Sequence, residues 1–212
     1  MPTNKFNYTR IFLWRHPEVQ GVADGRFWGH TDVGLTRQGK VQVRAMVKRM
    51  SREKLNAVYC SDLTRTRMAA EAVARKQSPR RKAEPLPALR ELNLGLWEGM
   101  TFREISQRYP LELQARQDDL VGFRIQGGES LADMAQRVVP AFTEIVAAHQ
   151  GGMVCVVAHA GVNRIILARL LGAPLDRIFR LEQEYACLNL IDVYDDGTPV
   201  IKSLNHIMRD EE

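Results

Sequence analysis

In three places an apolar run of this chain stops at side chains that could bind or transfer an anion. Arg10-Ile11-Phe12-Leu13-Trp14 ends at Arg15-His16, Ala57-Val58-Tyr59-Cys60 ends at Ser61 with Arg65 four residues on, and Met153 to Ala158 ends at His159. If these ends are neighbours, the two imidazoles and two guanidiniums of His16, His159, Arg15 and Arg65 converge on one point. Arginine forks match phosphate oxygens in a bidentate way. A neutral imidazole nitrogen can accept a phosphoryl group while fixed cations spread its charge. Such a centre calls for no metal and no cofactor. His16 must then present an unprotonated ring nitrogen, and a backbone carbonyl is the expected partner that fixes the tautomer. With phosphate bound, His159 should carry at least part of a proton.

The elements that would position these groups alternate between strand and helix. Thr36 should open a helix whose apolar positions recur at Val43, Met46, Val47 and Met50. Ser61 and Asp62 read as N-caps of a helix through Met68, Ala72 and Val73. Pro79, Pro85 and Pro87 mark a loop, followed by a strand-like piece at Ala88-Leu89-Arg90. Residues 92–127 are the least regular stretch and read as a cap insertion over the site. Ser130 and Asp133 approximate a capping box for a long helix striped by Leu131, Met134, Val138, Phe142 and Ile145. Met153 to Ala158 is apolar throughout, as a central parallel strand should be. Val162 to Leu171 reads as a helix stopped by Gly172. Cys187 to Val193 and Pro199 to Leu204, around Asp195-Asp196-Gly197, read as a β-hairpin. The expectation is a three-layer α/β/α fold with a mainly parallel central sheet, one domain over 1–212. Ligands of such sheets sit at the carboxyl ends of strands.

At these residues the chain resembles the histidine phosphatase superfamily, phosphoglycerate mutase-like branch. The Arg15-His16 pair closing the first strand carries the resemblance. It continues through Gly29-His30-Thr31-Asp32, Leu35 to Gly39, Tyr59 to Arg65, Leu89 to Gly99, Gly127-Gly128-Glu129-Ser130 and Val156 to Gly161. The resemblance implies that His16 is the phospho-accepting nucleophile and that Arg15, Arg65 and His159 hold the phosphate. It implies that Glu91 protonates the leaving oxygen and then activates water. It also places Trp28 and Gly29 among the substrate-binding positions. Glu98 reads as a surface turn before Gly99, and Trp97 as a core aromatic that could wall the pocket. The chain departs from the family at Pro17 and Ala160, where glycine is common, and at Val22, where asparagine is common. These departures bear on substrate more than on reaction type.

The implied activity is hydrolysis of a small phosphomonoester through a phosphohistidine, α-ribazole phosphate among the candidate substrates. A phosphoglycerate mutase is the alternative, although mutases carry a longer cap. A catalytically weak phospho-ligand binding module is the other. The formal net charge is +5, and its clearest cationic run, Arg75-Lys76 to Arg80-Arg81-Lys82, lacks interleaved aromatics for nucleic-acid stacking and reads as a surface loop. Cys60, Cys155 and Cys187 are an odd set and read as buried free thiols of a reducing compartment. No apolar stretch is long enough to span a bilayer and no signal peptide is evident, so a cytoplasmic protein is expected. Neither nucleic acid nor membrane is an expected partner. The C-terminal hairpin offers an edge at which a homodimer could form.

Overall fold

The computed structural model describes residues 8–208. The strands are β1 (Tyr8–Arg15), β2 (Ala57–Cys60), β3 (Ala83–Pro85), β4 (Met153–Ala158), β5 (Cys187–Tyr194) and β6 (Pro199–Ile207). The α-helices are α1 (Arg37–Met50), α2 (Thr64–Arg75), α3 (Phe102–Arg108), α4 (Pro110–Asp118), α5 (Leu131–Ala148) and α6 (Ala160–Leu171). The strands form one six-stranded sheet in the order β3-β2-β4-β1-β5-β6. β1, β2, β3 and β4 run parallel, whereas β5 pairs antiparallel with both β1 and β6.

β1 and β4 are central and buried on both faces, which is why their sequences are continuously apolar. Successive residues alternate between two cores. Ile11, Leu13, Val154 and Val156 pack with Met134, Val138, Phe142 and Ile145 of α5 and Ile165 and Ile166 of α6. Phe12, Trp14, Cys155 and Val157 pack with Met46 and Met50 of α1 and Ala69, Ala70 and Val73 of α2. The result is helix, sheet, helix, as expected.

Local signals place most boundaries. Thr36 caps α1 by accepting from the Gly39 N–H. Ser130 and Asp133 form a reciprocal capping box at the start of α5, and Thr101 with Glu104 forms another at α3. Gly172 closes α6 in the left-handed conformation.

Three local expectations need correction. The proline-marked loop contains strand β3, and Ala88-Leu89-Arg90 is not a strand: Pro87–Leu89 is a 3-10 turn. Pro87 at the first position of that turn fixes the backbone angle it needs. The N-cap of α2 is Leu63, without a side-chain cap. Ser61 and Asp62 are committed elsewhere, and Asp32 supplies the cap from a distant loop, accepting from the Thr64 N–H (2.8 Å) and hydroxyl (2.6 Å). Within 92–127 the irregular sequence hides α3 and α4.

Candidate active site

Sheet register brings the three strand ends together. Arg15 on β1 lies opposite Ala158 on β4, and Cys60 on β2 lies opposite Val157. The His16 N–H extends the ladder to the Ala158 carbonyl at 2.9 Å. The residues just past the strands therefore meet. The rings of His16 and His159 lie edge to face, with centroids 5.1 Å apart.

His16 is buried at 5% exposure, and its Nδ1 lies 2.8 Å from the carbonyl oxygen of Pro17. A carbonyl can only accept, so Nδ1 carries the hydrogen and Nε2 keeps its lone pair. That is the expected arrangement. Burial lowers the pKa of His16 well below the ordinary histidine range, and the Arg15 and Arg65 guanidiniums push it further down. His16 is thus neutral at pH 7.

His159 is fully buried. Its Nε2 is 2.7 Å from the Ser61 hydroxyl, and the Arg65 Nε–H donates to its Nδ1 at 3.3 Å. Burial, then Arg65, His16 and Arg15, lower its pKa well below the usual range. The protein alone keeps this ring neutral. A phosphate anion beside it would oppose those cations and favour the proton.

Arg65 is also fully buried. It donates to the carbonyls of Thr31 (2.9 Å) and Gly29, so the loop around 28–31 is tied to the phosphate-binding candidates. Arg15 stacks on Tyr185, its guanidinium carbon 3.7 Å from the ring centroid, and donates to the Gln183 carbonyl. Tyr185 also packs against His16, with centroids 5.6 Å apart. Glu91 faces them: the Gly161 N–H donates to Oε2 at 3.1 Å and the Leu92 N–H to Oε1 at 2.9 Å.

These groups open onto a cavity of about 430 Å³ lined by Arg15, His16, Trp28 and Glu91. Residues of the 92–127 segment, among them Leu94, Trp97, Phe102 and Leu113, form much of its wall. Arg65, His159 and Gly29 are not lining residues; His159 packs against the lining residue His16, and Arg65 reaches His159 and Gly29. Gly29 has both backbone groups spent, its N–H on Glu98 and its carbonyl on Arg65. Val22 sits in a 3-10 turn and is not a lining residue, whereas Ala160 is part of the wall.

Glu98 is not a simple surface turn. Its carboxylate accepts from the backbone N–H groups of Gly29 (3.1 Å), His30 (2.7 Å), Thr31 (3.2 Å) and Leu94 (3.2 Å). Burial pushes its pKa up, but the His30, Thr31 and Leu94 donors outweigh that and hold it below the usual carboxylate range. Arg137 was equally invisible in the sequence. It donates to the carbonyls of Ala88, Arg90 and Glu91 and pairs with Glu129, clamping the segment that carries Glu91. Both residues hold backbone, and no local spacing signals that. No group of three or more His, Cys, Asp or Glu side chains among the described residues is arranged to hold a metal ion.

The profile of the histidine phosphatase superfamily (branch 1) matches residues 11–207. The chain belongs to that superfamily. It is 28% identical to phosphoserine phosphatase 1 of Hydrogenobacter thermophilus, covering 91% of this chain and 90% of that protein. It is 34% identical to phosphoglycerate mutase-like protein 4 of Arabidopsis thaliana, over 77% of this chain and 71% of that one. The solved α-ribazole phosphatase of Shigella flexneri superposes with a TM-score of 0.85 at 25% identity, covering 95% of this chain and all (100%) of that one. As a histidine phosphatase with phosphatase relatives, the chain is a phosphoric monoester hydrolase acting on small phosphorylated substrates. No helix among the described residues is long and apolar enough to cross a membrane.

Proposed function

We propose that this phosphatase works through a phosphohistidine at His16. The observation that carries the reading is the Nδ1 contact of His16 with the Pro17 carbonyl, which leaves Nε2 as a lone pair at a cavity wall shared with Arg15 and Glu91. Nε2 attacks phosphorus and the ester P–O bond breaks. Glu91 gives its proton to the leaving oxygen, so the alcohol departs neutral. Glu91 then takes a proton from water, the water oxygen attacks phosphorus, and the N–P bond breaks to release inorganic phosphate. Arg15, Arg65 and His159 stabilise the charge on the phosphoryl oxygens in both steps. Trp28 walls the leaving-group side, and Gly29 acts through the Arg65 and Glu98 bonds that shape its loop.

The substrate is a small phosphomonoester. Phosphoserine and α-ribazole phosphate belong on the first panel because relatives carry those names, and phosphoglycerate with and without a bisphosphate primer tests the mutase alternative. The three free, buried thiols support a reducing compartment such as the cytoplasm.

The test is turnover of phenyl phosphate with chelator present, in the protein and in His16→Ala. Hydrolysis that survives chelator, is lost in the variant, and leaves acid-labile phosphate on His16 after quenching supports the mechanism. Turnover undiminished in His16→Ala overturns it.

A further inference from the structure

The cavity that opens on His16 also exposes four arginines, and they differ in what they already hold. Arg15, Arg26, Arg116 and Arg164 all line it. Arg15 is tied to the Gln183 carbonyl and Tyr185. Arg26 donates to the Gly99 carbonyl at 2.6 Å and meets Glu104 at 3.3 Å. Arg164 donates to the Leu181 carbonyl at 2.8 Å and faces Glu182 at 3.7 Å.

Arg116, on α4, is different. Its Nη1 is buried and has no hydrogen-bond partner. Its guanidinium meets the face of Trp97, 6.0 Å from the ring centroid. Burial lowers its pKa with no acidic neighbour to offset the effect. The residues 92–116 that line the cavity with it, among them Leu94, Trp97, Phe102, Ile105 and Leu113, offer no side-chain acceptor. Arg116 as a whole is half-buried, but a guanidinium nitrogen withdrawn from water and left unpaired is costly, and an anion entering the cavity would offset that cost.

We propose that Arg116 is a specificity-determining residue that pairs with a second anionic group on the substrate, a carboxylate carried on an apolar skeleton. The inference rests on the phosphatase reading for the first anion, the phosphate at His16. One cavity then receives both ends of the molecule: the ester phosphate between Arg15 and His16, the skeleton against the apolar walls, and the carboxylate on the fork of Arg116.

The experiment compares phenyl phosphate with 3-carboxyphenyl, 4-carboxyphenyl and 4-(carboxymethyl)phenyl phosphate, in the protein and in Arg116→Met and Arg116→Gln. The best carboxylated ester should exceed phenyl phosphate by about 10- to 100-fold in kcat/KM, mostly through KM, the range of a charge-assisted pair. That ratio should collapse toward one in both variants. Two outcomes overturn the proposal: no carboxylated ester is preferred, or the preference survives in both variants. Calorimetric binding of benzylphosphonate and 4-carboxybenzylphosphonate reads the same contrast without turnover. If no ester is hydrolysed but the carboxylated phosphonate binds more tightly, and only when Arg116 is present, the phosphatase mechanism fails and the Arg116 assignment stands. Melting curves of the two variants check that they fold.

Discussion

The α-carbon of Gly161 sits against the Glu91 carboxylate: a Cβ built there would lie 2.3 Å from Oε1. The same residue donates its N–H to Oε2 of Glu91 at 3.1 Å. The first turn of α6 thus both holds the acid and leaves it room.

Gly161→Ala should therefore displace Glu91 rather than unfold the protein. A shift of about 1 Å in a reacting group costs roughly 10²-fold, so kcat toward phenyl phosphate should fall by about that much. The melting temperature should change little. A variant with full kcat would show that Glu91 is not the proton donor.

Glu98→Ala leaves four backbone donors without their carboxylate and loosens the 28–31 loop that Arg65 holds. The expected loss is about 2–3 kcal/mol in urea unfolding, more than an exposed glutamate would give. KM should rise as the loop shifts. The carboxylate's pKa is held low in the folded state, so its contribution is present above pH 4.5, the ordinary value, and is lost as the pH falls through the lower folded value.

Arg65→Lys keeps the charge but loses the fork that reaches Gly29, Thr31 and His159 at once. Activity should fall by about 10²-fold or more, and stability with it. Activity within a factor of two of the parent would show that charge alone suffices.

Histidine titration sets the acid side of stability. His16 and His159 have pKa values lowered by burial and by the neighbouring guanidiniums, while in the unfolded chain each takes its proton near the ordinary 6.5. The unfolded state then binds more protons below pH 6.5. Stability is fully present above that value and is lost as the pH falls. His30 and His149 are shifted the same way, burial first. Urea midpoints should be flat from about pH 8 to 7 and fall between about pH 6.5 and 5. His16→Asn should flatten part of that slope. The acid limb of kcat/KM should lie below pH 6.5, because the neutral form of His16 persists there.

The thiols should be silent in the native protein. Burial pushes Cys60 up to about 12 and Cys187 up to about 11. Iodoacetamide at pH 8 should label neither until denaturant is added, when all three cysteines react.

The sequence by itself determined the strands β1 and β4, the helices with strong caps and apolar stripes, and the residues at the strand ends. Those features are local: a continuous apolar run, a Thr36 or Ser130 cap and an Arg15-His16 pair mean the same thing wherever the chain goes. The need for a backbone carbonyl on His16 was legible too, although only the structure shows that Pro17 supplies it and that Nδ1 is the nitrogen it holds. Tertiary structure alone decided what the polar residues do. Ser61 and Asp62 looked like caps, yet Ser61 holds His159, Asp62 pairs with Arg90, and Asp32 caps α2 from another loop. Glu98 reads as exposed until three successive backbone N–H groups of a distant loop turn toward it. Arg116 is an ordinary helix residue until α4 folds over the cavity and leaves its fork without a partner. Hydrogen bonds and unpaired charges depend on groups distant in sequence, so their roles appear only when folding brings those groups within about 3 Å.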